Sequence, residues 1–158
     1  LRIKEYTGQV RRGFFIEGLS GMQFMRSHDF PGVMLDLEEP PDQVIWLPAV
    51  DPLQPWGKSL PHLNGRSFLN VPGTAVALKA GLPVAVFERQ GRLLRVFDPD
   101  CLPEALQAFA RSYADKRLFP QQSRIPVRQY PAGSVDALLG AGFRRDVTDY
   151  VLYREYRQ

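Results

Sequence analysis

Over residues 9–17 the side chains alternate as in an extended strand. Val10, Phe14 and Ile16 fall on one face, and Arg11, Gly13 and Phe15 on the other. Gly18 punctuates this run, and the S-G-M-Q-F that follows opens a short second apolar piece. Residues 26–42 (R-S-H-D-F-P-G-V-M-L-D-L-E-E-P-P-D) read as loop-rich. Residues 43–49 (Q-V-I-W-L-P-A) form a strongly apolar strand candidate ended by Pro48. Pro52, Pro55, Gly57, Pro61 and Gly65 break residues 50–68, which predicts a structured loop. The clearest pattern is T-A-V-A-L-K-A-G-L-P-V-A-V-F-E-R-Q-G-R-L-L-R-V-F-D. Its apolar runs 74–80, 84–89 and 92–97, turned at Gly81 and at Gln90-Gly91, predict a three-stranded antiparallel meander.

The period then changes. Leu102, Leu106, Phe109 and Tyr113 recur at helical spacing, which predicts a helix over 102–118 with Asp100 as its cap and Pro103 in its first turn. Arg111, Asp115, Lys116 and Arg117 fall on its wet face. Residues 125–130 read as a short strand, and Ser134 opens a small helix that Gly140 and Gly142 stop. Residues 147–156 (V-T-D-Y-V-L-Y-R-E-Y) read as a last strand. The sum is an α+β chain: a curled, mostly antiparallel, barrel-like sheet with two short helices, in one domain over residues 1–158.

Composition narrows the classes. The chain has 158 residues, is 44% hydrophobic and carries one cysteine, so no internal disulfide forms and a reducing cytoplasm fits. No apolar run approaches the roughly 20 residues of a membrane helix. The first residue is Leu1, not Met, and we expect a piece of a larger protein. Net charge is +3, which permits nucleic acid as a partner without demanding it.

The usual catalytic signatures are missing. No G-x-x-x-x-G-K-[ST] loop or G-x-G-x-x-G fingerprint occurs. His28, His62 and Cys101 have no metal-ligand spacing, so no metal site is expected. Ser20 lies in a G-L-S-G turn, one residue short of a nucleophile elbow. Glu38-Glu39 precede two prolines in a polar stretch, and Asp98 and Asp100 suit a strand end and a helix start. Basic and aromatic residues interleave at three places: Arg11-Arg12 before Phe14-Phe15, Trp56-Gly57-Lys58 with Arg66 in the proline loop, and Arg144-Arg145 near the tyrosine strand. Two readings stay open for each. Either the rings are core and the charges cover a wet face, or the charges meet phosphate and an exposed ring such as Trp56 meets a partner.

Three stretches in order then point to a family: G-Q-V-R-R-G-F-F-I-E-G-L-S-G-M-Q-F, V-D-P-L-Q-P-W-G-K-S-L-P-H-L-N-G and V-P-G-T-A-V-A-L-K-A-G-L-P-V-A-V-F-E-R-Q-G-R-L-L-R-V-F. Together they resemble the C-terminal accessory region of large helicase-related (Lhr-type) DNA helicases, a DEAD/DEAH-box group. Gly8, Val10, Arg11, Gly13, Phe15, Gly18, Gly21, Gln23 and Phe24 match the first family pattern. Asp51 and Pro52 match the second, and Gly81, Pro83, Val84 and Ala85 the third. L-L-G-A-G-F near the end also fits. Gln54 stands where the family usually has Asn, Thr74-Ala75 replace Asn-Arg, and residues 25–42 lack the helix with its leading Ala-Leu-Pro.

The resemblance implies a parent protein that hydrolyses ATP with Mg and moves along single-stranded DNA in repair. Its motor motifs lie outside this chain, which is then no enzyme by itself. The implied role is to pack on the motor and winged-helix modules and contact single-stranded or partly duplex DNA. Arg11, Arg12, Trp56, Lys58, Arg66, Arg144 and Arg145 are the DNA-contact candidates. A purely structural or protein-docking module is one alternative. A DNA glycosylase or hydrolase using Asp51 is the other, with a backbone-bonding turn as the bland role for that residue.

Overall fold

The computed structural model describes residues 2–154. The chain is α+β, and its strand pairs are antiparallel. It opens with helix α1 (Arg2–Tyr6), strands β1 (Val10–Gly13) and β2 (Gln23–Arg26), and helix α2 (Phe30–Glu38). Strands β1 and β2 pair as a separate two-stranded ribbon, Val10 opposite Arg26. No residue from 2 to 43 is buried. This corrects two expectations. The first strand is shorter than 9–17 and is not packed in the main sheet, since Phe14 is 76% exposed. Residues 26–42 are not all loop either. Pro31 sits in the first turn of α2, where its missing N–H costs nothing, and Pro40 stops the chain from continuing it.

The centre is a four-stranded sheet in the order β3 (Ile45–Pro48), β4 (Ala75–Lys79), β5 (Leu82–Glu88), β6 (Leu93–Val96). The predicted meander is its last three strands. Both of its faces are covered, which explains the near-continuous apolar runs in place of alternation. On one side lies helix α3 (Leu102–Ala114), whose Leu102, Leu106, Phe109 and Tyr113 are all buried. Trp46, Phe87, Phe109 and Phe143 meet there in ring contacts of 4.4–6.4 Å between centroids. Trp46 satisfies its indole N–H on the Ala105 carbonyl at 2.7 Å. On the other side Phe68, Val76, Leu78 and Val86 form a smaller cluster under the proline loop, with Trp56 packed against it.

Helix α3 ends four residues earlier than the periodicity suggests, and Leu118 reaches the core from the loop beyond it. Asp100 is not its cap. Cys101 occupies that position without a side-chain cap bond, and the Asp100 N–H is instead bound by Asp98 Oδ1. Strand β7 (Arg124–Val127), a single 3₁₀ turn (Ala132–Ser134), helix α4 (Val135–Gly140) and strands β8 (Arg144–Asp146) and β9 (Asp149–Tyr153) complete the chain. They form a third sheet in the order β7-β9-β8. So the strands divide among three sheets, and the described residues hold four α-helices where two were expected. The expected last strand begins two residues late, at Asp149, because Val147 (φ 54°) sits in the turn from β8, and its part after residue 154 lies outside the described residues.

Candidate functional site

The glycine-rich motif is a loop closed by one side chain. Gln23 Oε1 accepts the N–H groups of Phe15 and Ile16, both at 2.8 Å, and Gln23 Nε2 donates to the Ile16 carbonyl at 3.0 Å. The glutamine amide thus pairs with Ile16 as a strand neighbour would. Gly18 and Gly21, at φ of 82° and 91°, let the chain turn back between them. These glycines make a turn, not a phosphate cradle. Arg11 and Arg12 leave opposite sides of β1. The Arg11 guanidinium lies 4.5 Å from the centroid of the Phe30 ring, and Arg12 Nε pairs with Glu5 at 3.1 Å.

A second glutamine organises the proline loop. Gln54 is fully buried. Its Nε2 donates to the carbonyls of Ala49 and Trp56 and to Asn70 Oδ1, and its Oε1 accepts the Trp56 N–H. Asn70 returns a bond to the Trp56 carbonyl at 3.0 Å. Trp56, a candidate for presentation to a partner, is instead packed on the second core, with its indole N–H on the Gly81 carbonyl at 2.9 Å. Arg66 reaches the same hairpin, donating to the Pro83 carbonyl at 2.8 Å. Lys58 Nζ donates to the Asp51 carbonyl at 2.6 Å. Each of these three polar heads therefore holds a backbone carbonyl of the loop or its neighbour.

Asp51 is a turn residue: its Oδ1 accepts the Leu53 N–H at 2.9 Å. It also borders a cleft of about 550 Å³ between β3 and α3, together with Arg111, Asp115 and Arg117. Across the sheet, Lys79 Nζ bonds Glu104 at 2.8 Å and Asp42 at 3.0 Å, and these carboxylates hold its ammonium well above the ordinary lysine range. Burial, then the bond to Asp98, pushes the Cys101 thiol upward, so it stays protonated at neutral pH. No group of three or more His, Cys, Asp or Glu able to hold a metal occurs among the described residues. No helix among them is long and apolar enough to cross a membrane.

The third basic site lies on β8. Arg144 and Arg145 are exposed, and Arg145 Nε reaches the Val147 carbonyl at 3.4 Å. The seven candidates thus fall on three places: the ribbon, the proline loop and the last sheet. Sequence reasoning missed Arg124, Arg128 and Tyr153, which share a face with Arg144. The signal was present as alternation, since R-I-P-V-R places Arg124 and Arg128 on one side of β7 and Ile125 and Val127 on the other.

No family model matches the chain. One curated relative does, the protein named "Lhr helicase/ probable uracil glycosylase" of Mycolicibacterium smegmatis. Identity is 31% over 169 aligned positions, covering 89% of this chain and 11% of the relative. The similarity links the chain to the Lhr-type helicases. The chain spans only about a ninth of that protein's length, so it is similar to one stretch of it.

Proposed function

We propose that the chain is an accessory domain of an ATP-dependent DNA helicase, one that docks on the motor and winged-helix modules and contacts DNA. The observation that carries this reading is the extent of the similarity, nearly all of this chain against a small part of a helicase. The N-terminal unit supports the docking half. Residues 2–43 bury nothing, yet Phe14, Leu35 and Leu37 are 76%, 65% and 69% exposed. Apolar side chains gathered on an uncovered helix and ribbon are an interaction surface. ATP and Mg belong, on this reading, to motor modules elsewhere in the polypeptide, and this chain supplies no hydrolytic step. The test is association in trans with the remainder of its own polypeptide, followed by calorimetry. Wild type binds, and L35E/L37E binds at least about tenfold weaker, because charge is expensive in an apolar contact. Absent association, or association indifferent to both substitutions, contradicts the docking role.

A second reading rests on the relative's printed name, which includes a probable uracil glycosylase. Asp51, beside the β3–α3 cleft, is the carboxylate it would use. Its turn bond to Leu53 weighs against this, since one carboxylate oxygen is already committed. Uracil-containing single strands incubated with the chain discriminate. The accessory reading predicts no base release, whereas release abolished by Asp51→Asn establishes the enzyme.

A further inference from the structure

Sheet β7-β9-β8 has two unlike faces. Ile125, Val127, Tyr150 and Leu152 point into the main core. The registers place Arg124 opposite Tyr153, and Pro126 and Arg144 on either side of Val151. These residues make up the other face. Arg124 and Arg144 are exposed, and Tyr153 is 48% exposed. Val151, in the middle of this face, is 1% exposed and belongs to neither apolar cluster.

The charges on this face are segregated. Its acidic residues, Asp146 and Asp149, share the last row, where Arg128 pairs with Asp149 at 3.1 Å. The rows holding Arg144 and Arg124 lie about 7 and 14 Å further along, at two residues per row. Neither arginine has a carboxylate partner among the described residues. Tyr153, on the middle strand, stands between them. Around the edge of the sheet, on the side of α3, opens a cavity of about 640 Å³ walled by Ala110, Ala114, Leu139, Phe143 and Leu152, with Arg144 and Tyr153 also lining it.

We propose that this face is a platform for single-stranded DNA. Tyr153 stacks on a base, the adjoining cavity takes an unstacked base against Leu139 and Phe143, and Arg124 and Arg144 neutralise the flanking phosphates. An aromatic ring between cations on an open sheet is what base stacking and phosphate contact jointly require. Duplex DNA is a poorer fit, because its bases are already stacked and cannot enter the cavity. The proposal rests on the helicase-accessory reading and goes beyond it by naming the surface and the part each residue plays.

The test is fluorescence anisotropy of the whole chain with a labelled oligo-dT strand of about 15 nucleotides, a length that suits one small binding platform. Salt is varied between about 50 and 200 mM, the range over which phosphate contacts reveal themselves. Tyr153→Ala weakens binding about 5- to 150-fold and Tyr153→Phe leaves it near wild type, as stacking predicts. Arg124→Ala/Arg144→Ala lowers the log–log salt slope by about 1.4, two phosphates at about 0.7 each. Leu139→Glu blocks the cavity and weakens binding, while Lys116→Ala/Arg117→Ala leaves the slope unchanged. All of these side chains are exposed, so each variant is checked only for an unaltered melting curve. Wild-type binding that ignores Tyr153 and Leu139, or a slope that falls equally in the control pair, overturns the platform and leaves DNA contact standing. Absence of salt-sensitive binding by the wild-type chain overturns both.

Discussion

At the scale of residues, two glutamines and one arginine act as substitutes for backbone. Gln23 and Gln54 close the two loops that resemble the family motifs, each bonding main-chain groups on several sides. Arg154 spends all five N–H donors on the carbonyls of Tyr113, Leu118, Phe119, Pro120 and Gln122, with its guanidinium 4.0 Å from the centroid of the Tyr113 ring. It holds the segment after α3 in place. Arg154→Met should leave the Leu118 and Pro120 carbonyls without a donor, while Tyr113, Phe119 and Gln122 keep theirs, and should cost about 2 kcal/mol or more in urea unfolding, given 1–3 kcal/mol for each buried unsatisfied group. Gly57 is fixed by both space and conformation. Its φ is 71°, and an added Cβ would fall 2.1 Å from His62 Nε2. Gly57→Ala should therefore destabilise by about 2 kcal/mol or more, by the same measurement. The raised Lys79 pKa sets a pH dependence. The folded state keeps that proton longer than the unfolded chain, so its stabilisation is complete below the ordinary 10.5 and is lost as pH rises past it. Melting temperature should fall less steeply above that pH in Lys79→Met. None of this bonding was legible in the sequence. Gln23 stood out as part of a pattern and Gln54 as a departure from Asn, but a one-dimensional pattern does not say which carbonyls a side chain will meet.

At the scale of elements, what was legible had a strong period. The stripe on α3 and the three meander strands follow directly from spacing, because tertiary burial there agrees with local preference. Phe109 lies at the centre of this agreement and contacts the rings of Trp46, Phe87, Tyr113, Phe119 and Phe143. Phe109→Ala should cost about 3–5 kcal/mol, the range for a buried ring replaced by a cavity, read as a shift of the urea midpoint with unchanged slope. Helix α2 escaped reading for a physical reason. Its Pro31 and Gly32 look like a loop, and its Met34, Leu35 and Leu37 are left exposed. The outer face of the last sheet escaped because arginine and tyrosine were weighed as neighbours in sequence, whereas Arg124 and Tyr153 become neighbours only through strand pairing. Trp56 shows the opposite error of emphasis: a tryptophan between Pro55 and Gly57 suggested display, and it is packed and hydrogen-bonded.

At the scale of the whole molecule, the chain combines a large well-buried part with a smaller N-terminal part in which no residue is buried. Residues 44–154 enclose two apolar clusters around the four-stranded sheet, while residues 2–43 form a ribbon and two helices with exposed apolar faces. A chain with such a division is incomplete in the thermodynamic sense: its N-terminal unit gains its packing from something else. On the reading proposed above, that something is the rest of a helicase polypeptide. The most direct measurement is amide hydrogen exchange over residues 10–38, made on this chain alone and on the full-length polypeptide. The account predicts fast exchange along α2 in the isolated chain and strong protection in the full-length protein, with little change for the amides of β4 and β5. Equal exchange of α2 in both would contradict it.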